Sequence, residues 1–298
     1  MKEIKHGTSK KECFACSSFS VPKIIGKYKH WKLRECPNCF FQYWWPIEQA
    51  SNQYFEEKYK SFSEASSRPD FGMNQKLALK FIKSKIEKRA NINNIFDVGC
   101  GEGMFLNKIN NMGFSAWGTD FNRKAIKKAK KIFGLQNLYP FSIYDFAKIS
   151  KLPKFNIITF FEVLEHIGDP LKFIQTIKKL LTNNGIIIFS IPDAKTYDYW
   201  EKMVNIPPHH LTRWTKNTVR QFLNHHGFKV LKIKNIDRPD SECLFMNLSL
   251  RIGSKKNYYT ALSPRIKIIW KYFSLPYRQI IYLLNLKRPT IFVIAQLK

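Results

Sequence analysis

The chain has 298 residues, 44% hydrophobic and 15% aromatic, with 13 glycines and 14 prolines, the composition of a globular protein able to bury a substantial core. No apolar run approaches the roughly 20 residues that a membrane-spanning helix needs, and the opening MKEIKHGTSKKE lacks the apolar stretch of a secretory signal, so the expected location is the cytoplasm. The formal charge of +28 is spread along the chain; it is compatible with nucleic acid, an anionic membrane surface or an acidic substrate, and equally with a lysine-rich composition that has no partner in view.

Four of the six cysteines form CFAC (Cys13, Cys16) and CPNC (Cys36, Cys39), in the pattern C-x2-C-x19-C-x2-C. That spacing suits a four-thiolate zinc site, because each C-x2-C turn aims two sulfurs at one ion and the segment between can return as a hairpin. Four cysteines leave no open coordination position, so the expected zinc is structural. Disulfides are the alternative, and they are rare in a cytosolic chain. The reading is a zinc ribbon over residues 1–50. The aromatic run FFQYWWPIEQASNQYFEEKYKSF that follows is expected to pack the ribbon against the next domain, with a stacking platform for bases as the other reading. A linker spans 51–72, with SSRPD at 66–70. Cys100 and Cys243 stand alone, and Cys100 reads as a small buried side chain within a glycine turn.

From Met73 the pattern alternates helix and strand. MNQKLALKFIKSKIEKRA has Leu77, Phe81, Ile82 and Ile86 at helical spacing. NIFDVG reads as a buried strand, MFLNKINNMG as a helix stopped by Gly113, and SAWGTD as a second strand. Asn122 caps RKAIKKAKKIF, a helix ending at Gly134 with Ala125, Ile126, Ala129 and Phe133 opposite its lysines. FNIITFF, DPLKFIQTIKKLL, GIIIFSIP, TKNTVRQFLNHHG and FKVLKIKNI continue the alternation, and PTIFVIAQL ends the chain. His225 and His226 are expected to complement the C-terminus of their helix. The pattern predicts an α/β domain over residues 73–298, with a mostly parallel sheet covered on both faces and an apparent insertion at about 240–287.

The stretch FDVGCGEG at 96–103 places Gly99, Gly101 and Gly103 at the carboxyl end of the first strand of this domain, where such folds bind ligands. The dinucleotide fingerprint G-x-G-x-x-G does not fit, since position 104 is Met. An acid, Asp120, ends the next strand. DVGCGEG with GTD resembles the class I S-adenosylmethionine-dependent methyltransferases. The resemblance implies a Rossmann-like sheet of seven strands, the last two forming an antiparallel hairpin. It further implies S-adenosylmethionine as cofactor. Asp97 and the turn Gly99, Cys100, Gly101 and Gly103 would hold its methionine part, Asp120 the ribose hydroxyls, Phe121 and Asp145 the adenine. Phe161 and Glu162 would border the methyl group.

FFEVLEHIGDP at 160–170 is similar to small-molecule methyltransferases, including those of ubiquinone biosynthesis, and PPHHLTRWT at 207–215 falls where the family places acceptor-binding elements. Trp214 and the prolines are expected to shape a lid. An oxygen acceptor must lose a proton, and the candidate bases are His166, His209 and His210, with Glu162 and Glu165 as carboxylate alternatives. The leading reading is methyl transfer to a small molecule or a glycan or nucleotide-sugar precursor, in polysaccharide or secondary-metabolite chemistry. The rivals are an RNA methyltransferase that grips RNA with its ribbon and basic surface, and a non-catalytic binding module. The stretch 262–287 reads either as a peripheral membrane contact or as packing on the domain or on a second subunit, and the oligomeric state is left open.

Overall fold

The structure, a computed structural model, describes residues 2–3, 12–51, 53–54, 72–87, 92–194, 206–238 and 288–298. Most of the expected linker, including SSRPD, the expected insertion with Cys243, and the stretch 262–287 lie outside the described residues. The strands are β1 (Lys2–Glu3), β2 (Lys23–Tyr28), β3 (Trp31–Glu35), β4 (Gln42–Trp45), β5 (Glu48–Gln49), β6 (Asn94–Val98), β7 (Ser115–Thr119), β8 (Leu138–Tyr139), β9 (Phe155–Phe161), β10 (Leu181–Pro192), β11 (Thr212–Arg213), β12 (Phe228–Arg238) and β13 (Arg288–Leu297). The helices are α1 (Met73–Glu87), α2 (Met104–Asn111), α3 (Arg123–Phe133), α4 (Ile143–Phe146), α5 (Pro170–Leu180) and α6 (Lys216–His225).

Seven strands form one sheet in the order β12-β13-β10-β9-β6-β7-β8. Its pairs are parallel except those of β13, which runs antiparallel to both β10 and β12. The expected terminal hairpin is therefore present, with the final strand inserted beside β10. Because successive side chains on a strand face opposite ways, one face presents Phe96, Ile158, Phe160, Ile187 and Phe189. The other presents Ile95, Ile157, Ile186 and Ile188. Helices α5 and α6 cover the first face through Phe173, Ile177, Val219 and Phe222. Helices α1, α2 and α3 cover the second through Ile82, Phe105, Leu106 and Ala129. Burying each phenylalanine contributes about 2–3 kcal/mol, so the apolar stretches Ile157–Ile158 and Phe160–Phe161 of β9 and Ile186–Phe189 of β10 anchor both layers.

Helix ends follow the local chemistry. The Asn122 side chain accepts from the amide of Ala125 at 3.0 Å, and Gly134 closes α3 in a left-handed conformation. Asp169, Ser142 and Thr215 cap α5, α4 and α6 in the same way. At the end of α6, His225 lies in the last turn as expected, and His226 is the C-cap. Burial, then the neighbouring His225, pushes the His226 pKa down, and Lys178 adds a cation at that helix end by donating to the His226 carbonyl at 3.1 Å.

The N-terminal module is not a bead on a string. Strands β2, β3 and β4 form an antiparallel sheet that gains a fourth strand, β11, from the other end of the chain. The Phe41 ring packs at a tilt against Trp214, centroids 4.6 Å apart, and Cys13, Phe41, Tyr43 and Ile47 join the same apolar cluster as α5 and α6. Phe41, Tyr43 and Trp44 are thus core residues and not a platform for bases. Trp214 is likewise no lid: it is fully buried between Phe41 and Phe222.

Candidate active site

The four cysteine thiols come together as the spacing predicts. Cys13 Sγ lies 3.6 Å from Cys39 Sγ and Cys16 Sγ lies 3.9 Å from Cys36 Sγ. All four sulfurs are within 4.8 Å of one another and none is in a disulfide. Sulfurs around a tetrahedral zinc, with bonds of about 2.3 Å, stand about 3.8 Å apart, and these two pairs already match that spacing. The hydrogen bond with Cys39 draws the Cys13 pKa down to about 5.

The second site lies along the carboxyl edge of the large sheet. Asp97, on β6, is 2% exposed and accepts from Thr159 Oγ1 at 2.6 Å. Burial pushes its pKa up to about 7, opposed by the Thr159 hydroxyl and reinforced by the negative charge of Asp120. Just beyond Asp97 the turn runs through three left-handed glycines, with φ of +76°, +52° and +75° at Gly99, Gly101 and Gly103. Two of them show why glycine is required. A Cβ on Gly103 would sit 2.9 Å from that of Ala129, so glycine lets α2 start against α3. A Cβ on Gly101 would meet nothing within 4 Å, so there the backbone lies open to a ligand.

Asp120, after β7, holds this turn. Its Oδ2 accepts from the Gly101 amide and its Oδ1 from the Asn122 amide, each at 2.8 Å, and lone pairs on both oxygens are left for hydroxyl donors. Burial raises its pKa, and these two amides lower it in part. Phe121 is 37% exposed beside it, an apolar face of the kind an aromatic base covers. Asp145 is more exposed, bonded to Ser142 Oγ at 2.7 Å and Lys148 Nζ at 2.8 Å. Lys148 first, then Ser142, holds its carboxyl below the usual range. The Cys100 side chain turns away from the turn toward Gly118 and Leu106, so only its backbone belongs to the cradle.

The acceptor-side candidates follow β9 and β10. Glu162 adopts φ +56° and its Oε1 accepts from Ser190 Oγ at 2.8 Å; Ser190 in turn accepts from Asn74 Nδ2 at 2.8 Å. The Phe161 ring packs edge-on to Phe105 at 5.3 Å. A 3-10 turn, Leu164–His166, carries Glu165 and His166. The backbone pins this turn to the PPHHL segment: the Leu211 amide donates to the Glu165 carbonyl at 2.8 Å, and Thr212 Oγ1 donates to the Leu164 carbonyl at 3.2 Å. His166 Nδ1 donates to the His209 carbonyl at 2.6 Å. His166, His209 and His210 thereby come together, with ring centroids 4.6 to 4.7 Å apart. The N-terminal module reaches the same place. Gln49 donates to the His166 carbonyl at 2.9 Å, the Trp44 amide to the Leu211 carbonyl at 2.9 Å, and the Tyr54 ring lies 6.3 Å from His209.

Asn74, Thr159 and Ser190 are the site residues that motif reasoning passed over. Thr159 and Ser190 had a signal in the sequence, each being a hydroxyl set among apolar residues of a strand (IITFF, IIIFSI). Asn74 had none, because its role depends on where α1 crosses β10.

A family model described as a methyltransferase domain matches residues 67–233. The chain is 35% identical over 103 residues to a ubiquinone biosynthesis O-methyltransferase of Actinobacillus pleuropneumoniae serotype 5b, covering 32% of this chain and 44% of that one. It is 26% identical over 177 residues to the protein of the same name in Coxiella burnetii, covering 53% and 75%. Thus the chain spans about half the length of the curated relatives it matches at higher identity. A SAM-dependent methyltransferase structure from Archaeoglobus fulgidus is 19% identical, with a TM-score of 0.49 and coverage of 83% of this chain and 100% of that one. With more than half of its length matched by the family model, the chain belongs to the methyltransferase domain family.

Proposed function

We propose that this protein is an S-adenosylmethionine-dependent methyltransferase acting at an oxygen of a small molecule or glycan-type precursor, with a structural zinc ion in its N-terminal ribbon. The observation that carries the reading is the cradle at the carboxyl edge: a buried carboxylate on β6, a glycine turn open at Gly101, and Asp120 bonded to that turn. These donors and acceptors suit the cofactor. Asp97 can pair with its ammonium group, and Asp120 keeps lone pairs for its ribose hydroxyls. Phe121 offers a face for adenine, and Asp145 is the candidate partner for its amine.

When bound, S-adenosylmethionine supplies an electrophilic methyl on a sulfonium. The chain's task is to hold the acceptor oxygen in line with that carbon. An acceptor oxygen that takes the methyl would lose its proton, and a base of this chain would receive it. Glu162, just past the end of β9, and His166, His209 and His210, which meet in the turns beyond it, are the candidates. The O-methyltransferase names of the relatives support an oxygen acceptor. Binding of S-adenosylmethionine by the purified chain, followed calorimetrically, tests the reading. Micromolar binding that Asp120→Ala removes supports it, and no binding at any accessible concentration refutes it.

A further inference from the structure

We propose that His166, His209 and His210 form a second metal site, for a divalent transition-metal ion of zinc-like preference, distinct from the four-cysteine cluster. Three imidazoles from two separate segments meet as a nearly equilateral triangle of rings, 4.6, 4.7 and 4.6 Å between centroids. One ring nitrogen from each lies within 4.8 Å of the other two. Nitrogens around a tetrahedral ion with bonds of about 2.05 Å stand about 3.3 Å apart, so the rings need to close by no more than about 1.5 Å. All three are well covered, with His209 and His210 each 6% exposed.

The surroundings are those of a ligand set. His166 donates its Nδ1 proton to the His209 carbonyl, which fixes the tautomer and leaves Nε2 as the ligating atom, the outer-shell arrangement of metal-bound histidines. A carboxylate stands next to it: Glu165 is 1% exposed and its Oε1 is 3.9 Å from His166 Nε2, so it can complete a three-nitrogen, one-oxygen set. Nitrogen donors select zinc, nickel or cobalt over magnesium and calcium, which prefer oxygen. The bonds from the Leu211 amide to the Glu165 carbonyl and from the Thr212 hydroxyl to the Leu164 carbonyl hold the two segments at this spacing without an ion. An ion would clamp the 164–166 turn onto the 206–214 segment and fix the wall beside β9 and β10. A nitrogen holding an ion cannot take the acceptor's proton, so on the occupied site the base role passes to Glu162.

The test is metal counting on the full chain by equilibrium dialysis against zinc, with metal quantified by atomic emission. Wild type should bind two ions, and His209→Ala and His210→Ala one each, with affinity at the second site lowered more than about a hundredfold. Cobalt as the probe should show a nitrogen-ligand spectrum that the histidine variants lose, while the thiolate-to-cobalt charge-transfer band of the cysteine cluster stays. Retained S-adenosylmethionine binding in the variants shows that they are folded. One ion per chain in wild type at saturating zinc overturns the proposal without reference to any variant. Two ions in both wild type and folded histidine variants overturn it as well. Neither outcome touches the cofactor reading, which is scored by S-adenosylmethionine binding alone.

Discussion

Replacing Asp97 with Asn should uncouple cofactor binding from pH. In the ligand-free chain burial raises the Asp97 pKa to about 7, with Asp120 adding to the rise and the Thr159 hydroxyl opposing it. A carboxyl that must be ionised to pair with the cofactor's ammonium therefore releases a proton on binding below that pH. Each pH unit below about 7 weakens binding about tenfold, or about 1.4 kcal/mol. Above about pH 8 the cofactor's own α-amino group loses its proton, so affinity peaks between. The same burial sets a stability trend with its own sign. The unfolded carboxyl titrates near 3.9, so between about pH 4 and 7 the folded chain keeps a proton that the unfolded chain releases. Stability therefore falls as pH rises through this window, by up to about 4 kcal/mol in all. Asp97→Asn keeps an acceptor for Thr159 but cannot ionise. It should flatten the affinity profile below neutrality, weaken binding near pH 7.5 and stabilise the ligand-free chain above pH 7. Calorimetric titrations in two buffers of different ionisation enthalpy count the protons. Close to one released at about pH 6 in wild type, and none in the variant, is the expected result. A flat profile with no proton release in wild type would refute the assignment of Asp97.

Three further outcomes follow from the geometry. Asp120→Ala strips the acceptor from the Gly101 and Asn122 amides and removes the ribose partner; S-adenosylmethionine affinity should drop more than about a hundredfold, at two charged hydrogen bonds of about 1.5–3 kcal/mol each, and unchanged affinity by calorimetry sinks the role. Trp214→Ala should cost about 3–5 kcal/mol in urea denaturation, because the side chain is fully buried between Phe41 and Phe222; a loss under about 1 kcal/mol, typical of surface sites, would return it to the role of a mobile cover. Cys36→Ser should release the ribbon's zinc and lower thermal stability, since the cluster joins the core that α5 and α6 share; full stability with no bound metal would refute the structural ion.

The periodic elements were legible because their signals are local. Alternating strands and helices, the Asn122 cap and the Gly134 stop are all written within a few residues of where they act. The glycine turn and Asp120 were legible as a motif, and the C-x2-C pairs as a spacing. Three things were not. The pairing of Thr212–Arg213 with β4 joins a two-residue strand to a partner some 170 positions earlier, which no periodicity marks. Trp214 was read as a lid from its place after a strand, whereas tertiary packing against the ribbon buries it completely. The convergence of His166 with His209 and His210 depends on backbone bonds between two loops, so the sequence offered the three as separate candidates for one proton transfer.

The central claim is tested most directly with S-adenosylmethionine carrying a labelled methyl group. The pure protein would be incubated with it and an extract of the source organism, and RNA, lipid, polysaccharide and small molecules then separated. Label in a small-molecule, glycan or lipid fraction, lost in Asp120→Ala, is the predicted result. Label that RNase releases, or no label in any fraction while the protein is folded and zinc-loaded, would contradict the account.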